Sequence, residues 1–191
     1  MLRKAIVIIL GMLIVLTVAG CGKSIRRVYI RENVDLGFIT KIAVLPLQNQ
    51  TNDNYVAERV RNSVITQILA RNMFDVVDRG LVDSALEEEA IQPGKPIDAN
   101  TLKRLGQRLN VQALMLGSVD EAGEGRKGSF IYPKMTLTLR LVDSNAAMVL
   151  WQANGHRNGD SFFGRFLGLF ENDPFENTDK LVSSLLRKIP K

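Results

Sequence analysis

Between residues 40 and 119, strand-length apolar runs alternate with longer stretches whose apolar residues recur at helical spacing, which restricts the chain to layered α/β architectures. Residues 41–47 (KIAVLPL) form an apolar run rich in Ile, Val and Leu, as expected of a central strand buried on both faces, with Pro46 marking its carboxyl end. The polar stretch 48–54 offers N-cap residues for a helix carrying Val56, Val60, Val64, Ile65, Ile68 and Leu69 and ending near Arg71. Residues 74–77 read as a short second strand. Asp78 then caps a helix with Leu81, Val82, Ala85, Leu86 and Ile91 inward and Glu87, Glu88 and Glu89 on its wet side, broken by Pro93, Gly94 and Pro96. Asp98 caps a third helix with Leu102, Leu105 and Leu109 on one face, and residues 113–119 (ALMLGSV) read as another interior strand.

The period then changes from mixed to two. Met135, Leu137, Leu139 and Leu141 alternate with Thr136, Thr138 and Arg140, the signature of a half-buried strand, and Asp143-Ser144-Asn145-Ala146 turns the chain into a partner strand at 148–153. Leu181, Val182, Leu185, Leu186 and Ile189 close the chain with an amphipathic helix. The expected fold is a single layered α/β domain with a mixed sheet: β-α-β-α-α-β, then an antiparallel meander and a C-terminal helix.

Ahead of this domain, Met1, Leu2, Arg3 and Lys4 form a basic start and residues 5–19 carry no charge, too short a run for a comfortable span but suited to a signal peptide. Val18-Ala19-Gly20-Cys21 resembles the lipobox of bacterial lipoproteins, with cleavage between Gly20 and Cys21 and a lipid on the Cys21 thiol. The other readings are an ordinary secretory signal with a leftover cysteine, or an uncleaved N-terminal anchor. A lipidated Cys21 would anchor the chain, since each buried acyl CH2 contributes about 0.8 kcal/mol. Gly22 stands where aspartate resembles a retention signal for the inner membrane, so the expected site is the outer membrane, periplasmic side. The expected organisation is residues 1–20 as signal peptide, 21–39 as lipidated N-terminus and tether, and 40–191 as one periplasmic domain.

The chain has 25 basic and 20 acidic residues; without Arg3 and Lys4 the balance is 23 to 20, a net of +3, too mild to imply nucleic acid. Arg26, Arg27 and Arg31 lie beside the proposed anchor, where they read either as solvated surface or as contacts to anionic headgroups. Cys21 is the only cysteine, so no internal disulfide or thiolate metal cluster can form and folding rests on packing alone.

Candidate chemistry is sparse. Gly123-Glu124-Gly125-Arg126-Lys127-Gly128 matches GxGxxG, but a strand alternation with Pro133 follows it, so no helix dipole begins where a pyrophosphate would need one; a flexible hairpin loop is expected. His156 is the only histidine and reads as a surface or turn residue. Asp75, Asp78 and Glu87 to Glu89 are explained by capping and solvation, and Asn49-Gln50-Thr51 fits a glycosylation acceptor with little meaning here. No enzyme signature, metal site or cofactor site is found, the covalent lipid on Cys21 apart. Phe162, Phe163, Phe166, Leu167 and Phe170 cluster between polar flanks, either as a lid over the domain's own core or as an apolar patch for a subunit, a partner or the bilayer. Trp151 reads as a core residue or, alternatively, as a membrane-interface or partner contact.

The order Lys41-Ile-Ala-Val-Leu-Pro-Leu-Gln-Asn-Gln-Thr51, Phe74-Asp-Val-Val-Asp-Arg-Gly80, Leu86-Glu-Glu-Glu89, Leu105-Gly106, Ala113-Leu-Met-Leu-Gly-Ser-Val119 and Val142-Asp143 to Val149-Leu-Trp151 resembles the CsgG-type periplasmic domain of outer-membrane lipoproteins. Related domains occur in the activator LpoB, the exopolysaccharide-export lipoprotein PelC and the amino-terminal part of TolB. The resemblance implies a non-catalytic, homo-oligomeric component of a secretion or export apparatus for curli-like protein or exopolysaccharide, with other envelope proteins as partners; the alternative is an LpoB-like activator of a penicillin-binding protein. Curli channels insert two long hairpins per subunit. The matching stretches here, 120–134 and 155–174, are expected to lack the long alternating strands a bilayer needs.

Overall fold

The computed structural model describes residues 25–128, 130–159 and 173–190. Ile42, Ala43 and Val44 point to alternate faces yet all are buried, so the sheet at this point is covered on both sides. They form strand β2 (Lys41–Val44), which runs parallel to β4 (Asp75–Val76) on one side and to β5 (Ala113–Lys127) on the other. Pro46 interrupts the ladder, and pairing along β5 resumes at the two-residue β3 (Gln48–Asn49). From β5 the chain folds back through β6 (Phe130–Asp143) and β7 (Val149–Asn158), each antiparallel to its predecessor, and β1 (Ile25–Ile30) adds antiparallel to β7. The order is β1-β7-β6-β5-β2-β4, with β3 beside β5. Among the described residues four α-helices, α1 (Val56–Ala70), α2 (Arg79–Glu88), α3 (Ala99–Leu109) and α4 (Pro174–Leu186), complete a single α/β domain with a seven-stranded mixed sheet.

The two sheet faces differ. On one, α1 and α4 cover a continuous core that includes Ile42, Val44, Met115, Leu137, Leu139, Leu141 and Trp151, facing Val60, Val64, Ile68, Leu181 and Leu185. On the other, α2 and α3 cover the parallel half, with Ala43, Leu45 and Leu114 against Val82, Leu86 and Leu105. Each such aliphatic side chain contributes roughly 1.5–3 kcal/mol by leaving water. Trp151 belongs to the first core. It is 0% exposed and its Nε1 donates to the Lys188 carbonyl at 3.2 Å, so it acts in packing and presents no contact surface, which corrects its reading as a partner or membrane contact.

Caps follow the sequence closely for two helices. Asp78 accepts from the amides of Gly80 and Leu81, and Asp98 from those of Asn100 and Thr101. The polar stretch before α1 works differently: Tyr55 occupies the N-cap with no side-chain bond, while Asn49, Thr51 and Asp53 bond to one another's backbone and knit a turn. Arg61, 1% exposed, ties three elements together: its Nε donates to the Val44 carbonyl at 3.1 Å and its guanidinium pairs with Asp83 of α2 at 2.8 Å. At Gly106, α3 crosses the β6–β7 turn so closely that a Cβ would stand 2.3 Å from that of Ser144.

Two expectations need correction. Residues 25–30, taken as part of a tether, form an edge strand paired with β7 throughout, from Ile25 opposite His156 to Ile30 opposite Trp151. Residues 120–134 do pair, continuing β5 and β6 as a ribbon out to Lys127 opposite Phe130, while 120–127 carries none of the apolar alternation that a bilayer-facing strand needs. Of the glycines that read as a flexible loop, Gly123 and Gly125 lie inside that ribbon and Gly128 lies in its turn, at φ 63°. A Cβ on Gly125 would meet the Tyr132 ring at 2.4 Å, so the bare glycine is what lets the ring lie across the opposite strand.

The open polar face of the sheet

Beyond α2 and α3, the antiparallel half of the sheet presents a face that no helix among the described residues covers. Cross-strand register arranges it in rows: Tyr29, Gln152 and Arg140 in one, and Arg27, Asn154, Thr138 and Ser118 in the next. The third holds His156, Thr136 and Glu121. The outward set of the period-two pattern at 136–140 therefore lies on this face, as its alternation predicts.

A β-bulge shapes the site. The register shifts between Val119 and Glu121, so Asp120 and Glu121, adjacent in sequence, both reach the polar face, while Val119 remains in the core. Asp120 accepts from Ser118 Oγ at 2.5 Å and Thr138 Oγ1 at 2.7 Å, and Asn154 Nδ2 donates to Thr138 Oγ1 at 2.8 Å. Glu121 accepts from Lys134 Nζ at 2.6 Å and Thr136 Oγ1 at 3.2 Å. The Lys134 hydrogen bond, reinforced by its charge, holds the Glu121 carboxyl below the usual range, and the same contact raises Lys134.

His156 Nδ1 lies 2.8 Å from Thr136 Oγ1 and 3.8 Å from Glu121. A threonine hydroxyl has one proton, so when Thr136 donates to Glu121, His156 must present an Nδ1–H to it. Hydroxyl and carboxylate thus approach the same ring nitrogen. A nucleophile–base–orienter relay needs them on opposite nitrogens, so this trio is a hydrogen-bonded surface cluster rather than a catalytic arrangement. The face can recognise by hydrogen bonding and charge.

The other candidates resolve as structure. Glu88 pairs with Arg108 and Glu89 with Arg104, joining α2 to α3. Asn49 is engaged within its own turn. Among the described residues no group of three or more His, Cys, Asp or Glu side chains is placed to hold a metal, and no helix is long and apolar enough to cross a membrane. Gly20, Cys21, Phe162, Phe163, Phe166, Leu167 and Phe170 lie outside the described residues. The bulge was missed from sequence; its signal is the break in alternation at Val119-Asp120-Glu121-Ala122.

The fold has known relatives. A PelC dodecamer from Paraburkholderia phytofirmans superposes with a TM-score of 0.57 at 17% identity, covering 86% of this chain and 95% of that one. The lipoprotein GNA1162 from Neisseria meningitidis gives 0.52 at 18%, covering 68% and 91%. Escherichia coli LpoB gives 0.50 at 12%, covering 64% and 59%. At these identities the likeness is one of fold. No curated protein matches the sequence. The findings support an LpoB- and PelC-like lipoprotein fold and lend no support to the curli-secretion, CsgG label that the sequence suggested. The family model for the peptidoglycan-synthase activator LpoB matches residues 29–156, and the chain belongs to that family.

Proposed function

We propose that the protein is a non-catalytic lipoprotein of the outer membrane, anchored through a lipid on Cys21 and facing the periplasm, and that it binds and stimulates a peptidoglycan synthase. The LpoB family match across residues 29–156 carries this reading. The polar face supports it, since Asp120, Glu121, Thr138 and Asn154 offer held hydrogen-bonding groups without a reactive constellation. Two measurements test it. Glycan polymerisation by a purified bifunctional synthase should rise several-fold on adding the protein, and Thr138→Ala with Asn154→Ala should reduce the rise; no binding and no stimulation would remove the reading. Cys21→Ser should release the protein from envelope fractions.

A second reading, a self-assembling component of exopolysaccharide export, is favoured by one observation: the dodecameric PelC superposes over 86% of this chain, against 64% for Escherichia coli LpoB. Sedimentation of the purified protein separates the two, because the activator reading needs only single copies.

A further inference from the structure

Among the described residues both edges of the sheet are open, and they match. We propose that copies of this chain join head to tail, β1 of one copy adding antiparallel to β4 of the next; the proposal rests on the self-assembling reading and names its contact surface.

The backbone supplies the first match. Arg31 N donates to the Leu150 carbonyl, so by antiparallel alternation the amides of Arg26, Val28 and Ile30 point away from β7. The amides of Asp75 in β4 and of Val77 just after it donate to the carbonyls of Thr40, just before β2, and of Ile42 within it, which leaves the peptide groups of Val76 facing outward. An outward ladder on one edge meets an outward pair on the other.

The faces supply the second. Val28 and Ile30 lie on the helix-bearing face, in register with Ala153 and Trp151, and remain 40% and 45% exposed. Beside β4 on that same face, a groove of about 410 Å³ lies between α1 and the strand; Ile65, Leu69, Val76 and Val77 supply its apolar lining and Asn62, Thr66, Asp78 and Arg79 its polar part, with Leu69 49% exposed. Continuing the sheet places Val28 and Ile30 in this groove. On the opposite face Arg27 and Arg31 share their side with Asp75, which stands next to Lys41 and is exposed. Apolar residues then meet apolar ones and arginine meets aspartate, both without turning either copy over.

Strand direction supplies the third. β4 runs with β5, and β6, β7 and β1 alternate from there, so β1 runs opposite to β4. A copy repeated around an axis along the strands therefore brings β1 antiparallel to its neighbour's β4. The same operation places every Ile25, and with it every lipid-bearing N-terminus, at one end of the assembly, as insertion in a single membrane requires.

The test uses the full-length lipidated protein in detergent, with mass read by sedimentation. Proline at Val28 or Val76 removes an outward amide and spares the ladder inside the domain. The wild type should assemble, and Val28→Pro and Val76→Pro should each run as single chains. Mixed one to one they should form pairs, since each retains the edge the other has lost, and this pairing also shows that both are folded. Arg27→Glu should weaken assembly at least tenfold and Asp75→Arg in the same chain should restore it. A monomeric wild type would overturn this contact and the self-assembling reading together. Assembly that survives either proline, or prolines that fail to pair when mixed, would overturn the contact alone.

Discussion

Arg61 is a cation held in the interior by partners that reach it from two elements. Its Nε satisfies the Val44 carbonyl at the end of β2, and its guanidinium meets Asp83, itself also approached by Arg79. Arg61→Ala leaves that carbonyl and a cavity behind and should cost about 2–3 kcal/mol in urea unfolding. Arg61→Met keeps the volume and should cost less, because Asp83 is 37% exposed and can hydrate. At the base of the hairpin the sign of a pH effect is fixed by the lowered Glu121. Its folded carboxyl ionises below the unfolded value of 4.5, so its contribution is present above that value and is lost as pH falls through the folded one. The raised Lys134 works at the other end, its contribution lost only as pH rises beyond 10.5. Glu121→Gln should therefore flatten the acid side of a Tm-against-pH curve and leave the neutral region's slope unchanged.

Element by element, legibility tracked how much of the pattern comes from burial. The Met135 to Leu141 alternation and the helical spacing of Val56, Val60, Val64 and Ile68 are imposed by the core and were readable at once. Two strands were not. β1 sits at an edge with Arg26 and Arg27 interrupting its apolar residues, so nothing in its composition separates it from a linker. The outer half of β5 is rich in glycine, and it remains a strand through its ladder with β6, with the Tyr132 ring lying over Gly125. Tyr132→Ala should accelerate amide exchange in residues 121–134 while leaving the exchange of Leu137 to Leu141 unchanged. Gly106→Ala drives a methyl against Ser144 and should cost about 1–3 kcal/mol, read as a lowered Tm. The paired carboxylates of the polar face were hidden for a related reason, since each residue alone obeys ordinary strand chemistry and only the bulge at Asp120 places both on one side.

For the whole molecule, the described residues divide the sheet into a half wrapped on both faces and a half wrapped on one. The wrapped half holds both buried clusters together, and the half open on one face displays the Asp120 and Glu121 hydrogen-bonded network. Pairing of β1 with β7 also sets how far the domain can stand from its membrane. With a lipid on Cys21, four residue steps separate the acylated position from the first paired residue, Ile25, a stretch of at most about 14 Å. A short leash of this kind keeps the body pressed near the bilayer, and a synthase rooted on the far side of the periplasm would have to supply the reach itself.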